Sequence, residues 1–222
     1  MDETAITPTA QQPQYRIFSN TENSYQGLQE LYENRYLPVN MRELIDIILD
    51  NNPGFNPGRE VIITPSLRIT PPYKAGEEQI VYTHESEYFY FPQHIKTSAE
   101  TQKNGAGTYP LSELYRATQI ADGMQTIVLT GEAVHADSGI MNLDDASKNP
   151  HAKAIIGPRI GEYLEWYSKN IGEFIEIYHK LDHDAVPRAR LLAMNLHTKD
   201  HGYGSFGASH IGKGAAFLGK TV

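Results

Sequence analysis

The chain has 222 residues, which suits one ordinary domain and is enough to bury a sizeable core. Its 27 acidic and 19 basic side chains leave a formal charge of −8, which argues against non-specific binding to nucleic acid or anionic membrane, since both need clustered Lys and Arg. The absence of Cys removes a disulfide framework, thiolate zinc sites, a Cys nucleophile and cysteine-ligated iron–sulfur clusters.

Residues 1–13 are Thr, Gln, Ala and Pro with few apolar anchors, and read as a disordered tail. They hold no apolar run of a signal peptide, and no segment approaches the roughly 20 residues of a membrane helix. The expected compartment is therefore the cytoplasm, or a cytosol reached by way of a signal that is not readable here. Tyr15 to Phe18 is strand-like. Asn23 or Ser24 caps a helix whose Tyr25, Leu28, Leu31, Tyr32 and Tyr36 recur at helical spacing, and Leu37-Pro38 stops it. Asn40 with Glu43 makes a capping-box pattern for a second helix, with Leu44, Ile47 and Ile48 inward. The two together predict an αα-hairpin.

The period then changes. Val61–Thr64 and Leu67–Thr70 predict strands separated by Pro65-Ser66, and residues 80–91 predict one long strand or two short ones. A helix follows near Pro110, with Leu111, Leu114, Tyr115, Ala117 and Ile120 on its apolar face. Thr126–Thr130 is a short apolar strand and 131–150 a polar loop. From Pro158, Ile160, Leu164, Tyr167, Ile171, Phe174, Tyr178 and Leu181 are spaced by four and three, which predicts one long helix. Pro187 opens another short helix through Leu191, Leu192 and Leu196, and 201–222 reads as a glycine-rich flexible tail. The expected fold class is α+β: an N-terminal helical hairpin, a small mixed or antiparallel sheet, and a long C-terminal helix packed on it. Residues 14–200 form a single domain, with a sub-boundary in the loop 131–150 before a helical part, 151–200.

Several motifs bear on chemistry. Gly202 to Gly207 fits G-x-G-x-x-G, but it has no strand–helix context and too little chain follows it for a nucleotide fold. His179-Lys180-Leu181-Asp182-His183 and His197-Thr198-Lys199-Asp200-His201 repeat one five-residue pattern. On a helix, His at i and i+4 share a face and clamp a divalent metal, and Glu176 with His179 has the spacing of helical di-metal sites. His179, Asp182, His183, His197, Asp200 and His201 are thus candidate ligands for zinc or manganese. The order His151, His183-Asp184, Asp200 is similar to that of HD-type phosphohydrolases, with a short last interval. His135 and Asp137, after strand 126–130, are candidate catalytic groups, His135 as base and Asp137 to orient it. Tyr88 and Tyr90 alternate with Phe89 and Phe91, so an inward Phe pair leaves a tyrosine strip for a partner.

No motif completes a catalytic or family signature. The first functional expectation is a non-enzymatic protein-interaction or regulatory domain, an effector or adaptor, that binds another protein and needs no cofactor. The second is a metal-dependent hydrolase built on the His/Asp cluster, in which a divalent ion activates water.

Overall fold

The computed structural model describes residues 13–19, 24–50, 61–70, 76–84, 126–179, 188–196, 204–208 and 215–221. Among them, ten strands join in one mixed sheet. They are β1 (Tyr15–Ser19), β2 (Tyr36–Pro38), β3 (Val61–Thr70), β4 (Gln79–Thr83), β5 (Thr126–Thr130), β6 (Gly139–Asn142), β7 (Phe174–Tyr178), β8 (Arg188–Asn195), β9 (Gly204–Ala208) and β10 (Ala215–Thr221). The helices are short: α1 (Ser24–Glu33), α2 (Met41–Leu49), α3 (Leu143–Lys148), α4 (Pro150–Ile156) and α5 (Ile160–Asn170), with a 3-10 turn over Gly131–His135. The main strand order is β1-β10-β3-β8-β9-β7-β6; β2 also pairs with β10, and β4 and β5 branch from β3.

The α+β expectation is overturned, since among the described residues strands dominate and no long helix crosses them. The seam read from Ile160 to Leu181 divides. Its first half is α5, which ends at Asn170; its second half is β7, where Ile175 and Ile177 are buried while Phe174 and Tyr178 are exposed. Spacing by four and three is ambiguous over five residues, and β-branched and aromatic side chains favour the pleated alternative. Leu191 and Leu192 lie in β8, and two stretches of the expected C-terminal tail are β9 and β10. The two strands expected on either side of Pro65-Ser66 are one strand, β3, whose register against β8 shifts between Ile63 and Leu67. A bulge there accommodates a proline that has no N–H to give the ladder.

The helical hairpin also fails. Leu31 of α1 packs with Phe18, Ile63, Leu67, Ile69, Val81, Ala193 and Phe217 on one side of the sheet. Met41, Leu44, Ile45, Ile47 and Ile48 of α2 join the larger core on the other side, together with Ala146 of α3, α4 and α5. Strand alternation separates the two layers: Ile62, Ile80, Met194, Phe206 and Leu218 face the larger core, and their neighbours Ile63, Val81, Ala193 and Phe217 face α1. The cap on α2 is as the sequence predicts, with Asn40 Oδ1 accepting from the Glu43 N–H at 2.9 Å.

Candidate binding face

The α1 side of the sheet is covered unevenly. Helix α1 packs on β1, β2 and β10. At the far end, outward residues meet solvent: Ile140 is 55% exposed, Phe174 52% and Tyr178 38%. Val128 of β5, opposite Val81, also points to this side and is exposed. Register brings three of these together. Phe174, Glu176 and Tyr178 alternate along β7, and Ile140 of the terminal strand β6 sits directly opposite Glu176. On the other flank Ser205 and Gly207 of β9 lie beside Glu176 and Tyr178. Glu176 is half-buried and has no hydrogen bond or ion pair among the described residues. Gly207 is required where it stands: a Cβ there would strike the Tyr178 carbonyl and come within 2.8 Å of the Tyr178 Cβ.

Behind this face lies a buried polar cluster. His151 of α4 and His179, just past β7, stack with ring centroids 3.3 Å apart and planes 13° from parallel. His151 Nε2–H donates to the Val134 carbonyl at 3.3 Å, so its Nδ1 accepts from the Tyr82 hydroxyl at 2.7 Å. His179 Nε2–H donates to the Asp137 carbonyl at 3.0 Å, and its backbone N–H to Ser138 Oγ at 3.1 Å. His179 Nδ1 has no partner among the described residues. Burial pushes the His151 imidazole down to about 3, with His179 and Arg68 acting in the same direction. Burial also lowers His179, against the pull of its bond to Asp137. Both rings are therefore neutral near pH 7. A second buried ring, His84, donates Nε2–H to the Ala154 carbonyl at 2.8 Å and accepts from Ser66 Oγ at 3.2 Å. Ser66 Oγ in turn accepts from the Met41 N–H at 2.9 Å, and burial holds His84 at about 4.

These bonds are structural in kind. They tie the segment 134–138 to α4 and to the end of β7, and Asn149 Nδ2 adds a bond to the Asp137 carbonyl at 2.8 Å. His135 and Asp137 are exposed at the end of the 3-10 turn, and Asp137 meets His179 through its backbone oxygen. Glu176 and His179 do not share a helical face: they sit in and just beyond a strand, and point to opposite sides of it. No three His, Asp or Glu gather to hold a metal among the described residues. Asp182, His183, His197, Asp200 and His201 lie outside those residues, as do Tyr88 and Tyr90. Sequence reasoning missed Phe174, Glu176, Tyr178 and Ile140 as a surface, because it placed the first three on a helix. The signal that could have found them is the alternation in Phe174-Ile175-Glu176-Ile177-Tyr178.

No family model matches the chain, and no curated protein matches it. One solved structure does, described as the accommodation of massive sequence variation in Nanoarchaeota by the C-type lectin fold. It is 25% identical, the match covers 96% of this chain and 100% of that one, and the TM-score is 0.78. The chain shares the C-type lectin fold. That likeness suits a sheet-rich architecture and suggests a non-enzymatic binding domain that takes a ligand or a protein partner. Within the C-type lectin fold of this chain, the end of the sheet away from α1 carries the exposed Phe174 and Tyr178. No helix among the described residues is long and apolar enough to cross a membrane.

Proposed function

We propose that this chain is a non-enzymatic protein-interaction domain of effector or adaptor kind, whose contact surface is the α1-side face of β6, β7 and β9. The observation that carries the reading is the juxtaposition of exposed Ile140, Phe174 and Tyr178 on a sheet face of the C-type lectin fold. Large apolar and aromatic side chains held in solvent by rigid strands supply contact area with little entropy left to lose, which is what a binding surface needs. The related structure, described as accommodating massive sequence variation, supports the same view. In a sheet, one set of side chains builds the core and the alternate set is free to vary with the partner. Tyr88 and Tyr90, outside the described residues, are proposed as further side chains that contact the partner.

The test is partner capture from extract of the source organism on the immobilised full chain, beside an Ile140→Ser/Phe174→Ser/Tyr178→Ser bait of equal Tm. Loss of a specific partner by ~10-fold or more supports the reading, as expected when central aromatic contacts are truncated. Retention of every partner by the folded triple variant removes it.

A further inference from the structure

We infer that Phe174, Glu176 and Tyr178 form a receptor for a cationic side chain, so that the protein docking here presents a Lys or Arg. The inference rests on the contact-face reading above and names the chemistry of its partner. Residues two apart on a strand stand roughly 6.6 Å apart on one face, so the carboxylate lies between two aromatic side chains. A cation over that carboxylate stands between two aromatic side chains, whose ring faces attract positive charge. Ile140, opposite Glu176, offers an apolar contact for the alkyl stem of Lys or Arg.

Glu176 is also left waiting for a counter-charge. Among the described residues its side chain has no hydrogen bond or ion pair, so the carboxylate is free to take a cation from a partner. The described basic groups with ion pairs are engaged elsewhere: Lys148 with Asp144, Lys169 with Glu165, Lys220 with Glu43, and Arg159 with Asp46, Asp50 and Glu162. A second copy docked face to face would bring one Glu176 towards another, which like-charge repulsion disfavours. The formal charge of −8 favours approach of a basic partner.

The experiment is an NMR titration of the 15N-labelled full chain with acetyl-arginine amide, and separately with acetyl-citrulline amide, its neutral isostere. Binding of the arginine probe at β6 and β7 is expected, ~5-fold tighter than the citrulline probe. Glu176→Gln should bring arginine binding down to the citrulline level, and Phe174→Leu/Tyr178→Leu should weaken it while keeping an apolar side chain at both positions. The amide spectrum of each variant checks that it folds. Equal binding of the two probes, no shift at β7, or an unchanged Glu176→Gln titration overturns the inference. If that happens while partner capture still depends on Ile140, Phe174 and Tyr178, the cation receptor falls and the contact face stands.

Discussion

Single imidazoles in this protein hold the core by being neutral. His84 links the N–H of Met41, through Ser66, to the carbonyl of Ala154, and His151 links Tyr82 to Val134. Each ring needs one N–H and one bare nitrogen, so protonation breaks one bond in each chain. Arg68, Tyr82 and the Val134 and Asp137 carbonyls surround the stacked pair among the described residues. Both His151, at about 3, and His84, at about 4, titrate below the ordinary histidine value in the folded chain. The unfolded chain therefore binds more protons between those values and about 6.5. Stability is full above about 6.5 and falls with pH through that window, by up to about 2.7 kcal/mol per pH unit from the two rings together. Urea unfolding from pH 8 to pH 4 measures this, and His151→Gln should remove about half of the acid slope. A pH-independent midpoint would contradict the assignment of neutral buried rings. Little of this was legible beforehand: His179 stood out for its spacing to His183, whereas its observed neighbours, His151 and the Asp137 carbonyl, come from other elements.

At the scale of elements, close strand approach and helix caps make separate demands. The pairing of β7 with β9 brings Tyr178 against Gly207 with no room for a Cβ, so Gly207→Ala should cost about 1–3 kcal/mol, read as a lowered urea midpoint. Asn149 has two tasks: its Oδ1 accepts from the N–H groups of His151 and Ala152 at the start of α4, and its Nδ2 holds the Asp137 carbonyl. Asn149→Ala should therefore cost more than Asn40→Ala, about 2 kcal/mol against about 1, by the same measurement. Caps are the features that sequence reads best, because Asn40 and Glu43 lie within one turn. The split between α5 and β7 was not readable, because spacing by threes and fours alone does not exclude a pleated run of Ile and aromatic residues.

The whole molecule is closed by its C-terminal strand. Strand β10 pairs with β1 and β2 antiparallel and with β3 in parallel, so it joins the first strands of the chain to the rest of the sheet. It also contributes Phe217 to one core layer and Ala216 and Leu218 to the other. A chain ending at residue 214 should lose cooperative unfolding, seen as a broad calorimetric transition and collapsed amide dispersion; a sharp two-state transition would show that β10 is dispensable. The glycine content that makes 201–222 read as flexible is in part a packing requirement, since a Cβ at Gly219 would come within 2.9 Å of both Phe18 and Tyr36. Composition, the α2 cap and several strand segments followed from residues adjacent in the chain, where propensity and period act. The side of the sheet each helix covers, the strand identity of 174–178 and the carboxylate flanked by aromatic side chains depended on pairing between separate segments, β7 with β6 and β9, and β3 with the distant β8 and β10. Such pairings are chosen by burial of the entire sheet, which no local window contains.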